Sequence, residues 1–146
     1  QIIGRVWGDP TSRNMKVVNA DKAMAESLER MRRTPGLTEK IFYIQLSDVE
    51  TLREPLSRSH PAWKDDMPPR MQWSRNYRTF PCEEGNCLKP LTETVRTWFH
   101  DLGWRGWVSM EVFNKSMELP GAEVPAVHAQ RGTKSWHKLL QELESI

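Results

Sequence analysis

The hydrophobic positions change period several times along the chain. Ala20, Met24, Leu28 and Met31 recur at helical spacing, so a helix is predicted over 20–33, with Asn19 as N-cap and Pro35-Gly36 as its stop. Lys40 to Leu46 is short and rich in β-branched and aromatic residues, the composition of a buried strand. From Ser47 to Lys89 no period holds. Pro55, Pro61, Pro68, Pro69 and Pro81 punctuate the segment, and a connection this long inside a compact domain reads as a functional loop or lid. Leu91, Val95, Trp98, Phe99 and Leu102 mark a second helix, with Pro90 in its first turn and Gly103 beyond its end. Gly106 to Glu111 is a second strand, and Ala129, Trp136, Leu139, Leu140 and Leu143 form the buried stripe of a last helix.

Strands alternating with amphipathic helices predict an α/β fold built on parallel βα units. Two strands do not make a covered sheet, and a (β/α)8 barrel takes about 250 residues. The expectation is the C-terminal portion of such a barrel. It comprises about the last two βα units and a preceding helix over 1–146, with 47–89 as a long proline-rich βα loop. The opening Gln-Ile-Ile-Gly-Arg-Val-Trp-Gly resembles the inside of a domain, so a cut or truncated start is expected. Both strands end on a side chain with oxygen donors, Gln45 and Glu111. On a parallel barrel that edge gathers catalytic and metal-binding groups, and a strand-tip carboxylate is costly to desolvate without a cation or donor. The pair therefore reads as half of a metal site.

Composition narrows the classes. The chain has 146 residues, 38% apolar and 27% charged, enough for one domain with a core. A net charge of +2 with basic residues dispersed among acids argues against nucleic acid, and no apolar run is long enough to span a bilayer. Cys82 and Cys87 lack the further ligands a zinc site needs. They read as two reduced loop thiols or as a local disulfide, the former pointing to an intracellular, cytoplasmic location. Trp98 and Trp136 lie on helical stripes and Trp104 and Trp107 flank a strand, so core packing is expected for most of the seven tryptophans. His100, His128 and His137 fall on helices and read as structural or exposed, while His60 on the long loop is weighed between proton transfer and a structural role.

Trp73-Ser74-Arg75-Asn76-Tyr77-Arg78-Thr79-Phe80 places two guanidiniums, a hydroxyl and an amide in the segment after the Gln45 strand. Arginine forks suit carboxylates and phosphates, and Ser74 and Arg78 are spaced to meet at one anion; a solvated basic loop is the alternative. With this loop, four other motifs occur in one order. They are Gly4–Pro10, Phe42–Asp48, Gly103–Glu111 and the closing Val124-Pro125, His128-Ala129, Arg131-Gly132, Trp136 pattern. Together they resemble the C-terminal half of fungal and bacterial 3-dehydroshikimate dehydratases, which are xylose-isomerase-like (sugar phosphate isomerase/epimerase) barrels. The resemblance runs over nearly the whole chain.

That resemblance implies a metal-dependent lyase converting 3-dehydroshikimate to protocatechuate. It matches Gln45 to the third metal ligand and Glu111 to the fourth, and Ser74 and Arg78 to positions that contact substrate. The first Glu and the Asp of the family fall before Gln1, and its proton-transferring His is upstream or absent. A carboxylate and carboxamide set suits Mg²⁺, Mn²⁺ or Co²⁺. Glu111 is expected to act as ligand and, as in related epimerases, as a base. A sugar or sugar phosphate isomerase/epimerase on the same barrel is the alternative enzyme. The other alternative is a non-catalytic remnant or interaction module. The partner expected is the missing N-terminal half-barrel or a second copy, and the isolated chain is expected to be inactive.

Overall fold

A computed structural model describes residues 8–83 and 89–145. The Gly4–Trp7 part of the opening motif and Cys87, with any thiol pairing it makes, lie outside the described residues.

The first helix, α1, spans Ala20–Arg33 and buries Ala20, Met24 and Leu28. Its boundaries match the pattern, but Asn19 adopts φ 60° and its side chain makes no capping bond. Helix α1 is tied to the second helical region by Arg32, whose Nε donates to Asp101 at 2.7 Å and Nη2 to Thr97 at 3.0 Å. After a 3₁₀ turn at Thr38–Lys40 comes β1, Tyr43–Leu46, shorter than the apolar run that announced it.

The proline-rich segment is not the structureless loop its lack of period suggests. It holds strand β2 (Asp48–Val49), helix α2 (Pro69–Asn76) and strand β3 (Arg78–Thr79), with β2 and β3 antiparallel. Pro69 starts α2 because a first-turn proline has no amide hydrogen to lose and a helical φ already set. The segment owns a small core: Leu52, Leu56, Trp73 and Tyr77, with Met15, Val49, Ala62 and Trp63 packed on it. Buried Gln72 holds the turn before it. Its Nε2 donates to the carbonyl of Lys64, and its Oε1 accepts the Lys64 amide at 2.8 Å.

Helix α3, Lys89–Arg96, runs into a π-helical turn at Thr97–Asp101, and Gly103 at φ 63° reverses the chain. Strand β4, Trp107–Met110, follows, and the long helix α4 spans Val124–Glu144. Strands β1 and β4 are parallel neighbours, with Ile44 opposite Val108 and Gln45 opposite Ser109. One face of this sheet is covered: Leu46, Ile44 and Val108 pack with Leu91 and Val95 of α3, Leu139, Trp136 and Leu143 of α4, and Cys82. On the other face Tyr43, Gln45 and Ser109 are exposed. The architecture is thus mixed α/β with helices on one side of a parallel pair; among the described residues the strands do not close a barrel.

Two packing expectations need correction. Ala129 and Leu140 do not belong to the buried stripe of α4, which is His128, Gly132, Ser135 and Leu139. The polar half of that stripe faces polar loops, so an apolar count could not find it. Phe80 comes so close to Gly132 that a Cβ there would lie 3.1 Å from its ring. Trp107 is 84% exposed on β4, whereas Trp104 is 3% exposed and donates from Nε1 to the Ile41 carbonyl at 3.1 Å. A strand residue packs only if its own face is covered, and flanking position alone does not say which face that is.

Candidate functional site

The parallel register puts the ends of β1 and β4 side by side, and the Glu111 amide donates to the Leu46 carbonyl at 3.3 Å. Side chains alternate along a strand, so Ser109 and Glu111 share a face with Gln45, opposite the covered face of Leu46 and Val108. Gln45 and Glu111 therefore occupy one end and one face of the pair. The Gln45 side chain is exposed and makes no hydrogen bond with the described residues.

Ser74 and Arg78 arrive from the adjoining segment. Ser74 lies in the last turn of α2 and Arg78 opens β3, so the stretch read as a loop is a helix end and a strand. Arg78 donates to Ser74 Oγ from Nε at 3.0 Å and from Nη2 at 2.8 Å. Its Nη1 donates to Glu111 Oε2 at 2.6 Å, a charge-assisted contact at the short end of the range. The guanidinium also lies 5.2 Å from the centroid of the Phe113 ring. Ser74, Arg78 and Glu111 are therefore one cluster, with side-chain exposures of 25% at Arg78 and 43% at Glu111. Of five guanidinium N–H groups, these contacts engage three, and Glu111 Oε1 has no hydrogen bond to the described residues.

The cluster sits on a polar frame that the sequence did not announce. Asn114, buried, heads a 3₁₀ turn at Lys115–Glu118 and accepts the Ser116 amide at 3.0 Å. Its Nδ2 donates to the Arg78 carbonyl at 2.9 Å and to Glu50 Oε1 at 2.8 Å. Ser116 Oγ meets His128 Nε2 at 3.1 Å, and His128 Nδ1 donates to the Val124 carbonyl at 2.8 Å. Arg131 grips Glu83 with two bonds, Nε to Oε1 at 2.7 Å and Nη2 to Oε2 at 3.0 Å. The bond to Glu83 is the main reason its guanidinium is held above the ordinary arginine value; burial opposes this, and the charges of Glu83 and Glu50 add to it. An asparagine ahead of a short helical turn is an N-cap signal, so the Asn114–Ser116 contact was legible locally. Its links to Glu50 and Arg78 cross 64 and 36 residues and were not.

His60 serves its own turn, with Nδ1 accepting the Ala62 amide at 3.1 Å. His100 and His137 are exposed. Among the described residues no three His, Cys, Asp or Glu side chains gather as a metal cluster, and no helix is long and apolar enough to cross a membrane.

The chain is 42% identical over 143 residues, 97% of its length, to the curated 3-dehydroshikimate dehydratase of Neurospora crassa, and it spans 40% of that protein. The ordered motifs and the whole-chain comparison thus lead to the same kind of protein. No protein-family model matches the chain, and no solved structure matches it significantly.

Proposed function

We propose that this chain forms part of the active site of a divalent-metal-dependent dehydratase that converts 3-dehydroshikimate to protocatechuate. The observation that carries the reading is the Ser74–Arg78–Glu111 cluster beside Gln45 at one end of the parallel pair. It lies in a chain 42% identical to a protein of that activity. In this reading β1 and β4 are neighbouring strands of a (β/α)8 barrel. Their bare face is the inner wall and their C-terminal ends are the catalytic mouth.

The donor set fits a hard cation. Among the described residues Glu111 offers a carboxylate with Oε1 unengaged and Gln45 an unpartnered carboxamide oxygen, the oxygen donors a hard cation takes. Gln45 and Glu111 would hold Mg²⁺, Mn²⁺ or Co²⁺ as two of several ligands. When bound, such an ion supplies Lewis-acid stabilisation of the enolate formed from the substrate ketone. The chain's own residues would bind and orient the substrate. Arg78 keeps Glu111 Oε2 in place and offers its two unengaged N–H groups to the substrate carboxylate, while Ser74 fixes the plane of the guanidinium. Glu111 would be first a ligand, and its carboxylate would also serve as the base that takes the proton next to the ketone.

The test uses the protein with the rest of its barrel present. Glu111→Gln should weaken metal binding and abolish protocatechuate formation, because an anionic ligand becomes neutral. Arg78→Met should raise KM for 3-dehydroshikimate far more than it weakens metal binding, since it removes the anion fork and only a support of the Glu111 ligand. Metal content is measured beside initial rates. Loss of metal from the Arg78 variant, or full turnover by the Glu111 variant, would refute these roles.

A further inference from the structure

We propose that Asn114 is a positioning residue that sets Arg78 against Glu111. The proposal rests on the reading of those two side chains as the substrate- and metal-binding pair. Asn114 lies three positions after Glu111 and makes no hydrogen bond to the side chains of Ser74, Arg78 or Glu111 among the described residues. Its side chain nonetheless reaches both neighbours of the site. Nδ2 donates to the backbone carbonyl of Arg78 and to Glu50 Oε1, and Oδ1 accepts from the Ser116 amide and from Ser116 Oγ at 2.7 Å. A carboxamide has two N–H donors and one acceptor oxygen, and in Asn114 both donors and the oxygen are engaged. The direction of the amide is fixed as well. Turned over, its oxygen would face the Glu50 carboxylate and the Arg78 carbonyl, which only accept.

Those bonds close a ring of segments around the site. The Glu50 amide donates to the Tyr77 carbonyl at 2.8 Å, and Trp73 Nε1 donates to the Glu50 carbonyl at 3.0 Å. Glu50 is thus anchored to α2, the helix that carries Ser74. The Arg78 amide donates to the Phe113 carbonyl at 3.0 Å, and Tyr77 bridges to Asn114, docking β3 on the segment after Glu111. Asn114 joins the two halves: α2 and β2 through Glu50, β3 through Arg78, and the end of β4 through its own backbone. The backbone bridge alone fixes the Arg78 main chain on one side. The β2 ladder holds it on the other through Val49, and the Nδ2 bonds tie the Arg78 carbonyl and Glu50 to the segment that follows β4, so the guanidinium starts from a defined place. No other residue type of this size supplies two donors to two acceptors while accepting two bonds on its opposite end.

The experiment follows the Arg78 Nε–H cross-peak in ¹⁵N spectra of the 146-residue chain, assigned by its loss in Arg78→Lys. In the unmodified chain that proton donates to Ser74 Oγ, so a resolved and slowly exchanging signal is expected, and Glu111→Gln should shift it. In Asn114→Asp, which keeps shape and acceptors but turns both donors into an oxygen, the signal should move to the position of exposed arginines. Its response to Glu111→Gln should fall at least three-fold, with the core signals of Leu46 and Leu139 unchanged. Glu50→Gln leaves an acceptor facing Asn114 and should preserve the Arg78 signal. Should Asn114→Asp fail to fold, Glu50→Ala removes one of the two acceptors and should produce part of the same change. A folded Asn114→Asp chain with an unaltered Arg78 signal and an unaltered response to Glu111→Gln overturns the proposal; in the Glu50→Ala case the same constancy does. No turnover enters this test. Dehydration absent from the complete protein would refute the proposed function and leave the positioning result standing.

Discussion

Arg131→Met is the perturbation whose cost the structure defines best. Arg131 and Glu83 form a two-pronged pair with 29% and 17% of their side chains exposed, joining α4 to the chain just after β3. Glu83 Oε2 also accepts the Phe80 amide at 2.9 Å, and the guanidinium lies 5.7 Å from the Phe80 ring centroid. Exposed pairs contribute up to about 1 kcal/mol. Removing one partner of a fully buried pair costs about 3–5 kcal/mol. With less than a third of either side chain exposed, about 2 kcal/mol is assigned to stranding Glu83. The lost cation–π contact adds about 0.5 kcal/mol. Methionine retains the apolar stem, so the total stays at about 2.5 kcal/mol. At about 2 kcal/mol per molar of urea, the unfolding midpoint should fall by about 1.2 M. Glu83→Gln in the same chain should recover about 1.5 kcal/mol of that loss, because no buried carboxylate is left unpaired. Since the arginine's folded value is raised, this contribution holds below its unfolded value and is lost only as pH rises through the folded one, well above neutrality. A midpoint drop under about 0.3 M, or two losses that simply add, would refute the assignment of Arg131–Glu83 as a structural clamp.

Four other outcomes are expected. Trp104→Phe should cost about 1–2 kcal/mol by removing the Nε1 bond to Ile41 in a buried setting. Trp107→Thr, on the bare face, should stay within about 0.5 kcal/mol, and thermal unfolding that ranks the two the other way would contradict the assigned faces. The Asp9 carboxyl is held below the usual value, chiefly by the Thr11 hydroxyl and then by its amide. Its contribution is present above the unfolded value and is lost as pH falls through the folded one. Thr11→Val should therefore flatten the acid limb of a stability–pH profile below about pH 4 and leave neutral pH unchanged in slope. Calorimetric titration of the 146-residue chain with Mn²⁺ should show weak binding and no protocatechuate on adding 3-dehydroshikimate, since the described residues bring two oxygen ligands together. Micromolar affinity with turnover would show that the chain rebuilds a working site.

What the sequence determined by itself was local. The span of helix α1 was legible because its apolar period and its proline-glycine stop lie within one stretch. The two parallel strands and their oxygen-bearing ends were legible for the same reason, since Gln45 and Glu111 are read from the apolar runs they close. The grouping of Ser74 with Arg78 followed from spacing, and the likeness to a dehydratase from the order of motifs. Everything that joined distant segments was decided by the tertiary structure. Helix α2 has a weak apolar pattern, because it buries only Gln72 and Trp73 and is held by a proline start and by packing on Leu52, Leu56 and Tyr77. The partner of Arg78 is Glu111, 33 residues away, and the partner of Arg131 is Glu83, 48 residues away. Buried polar groups such as Asn114 and His128 carry no periodic signal. Desolvation is what makes their hydrogen bonds obligatory, and which surfaces lose water is settled only when the segments meet.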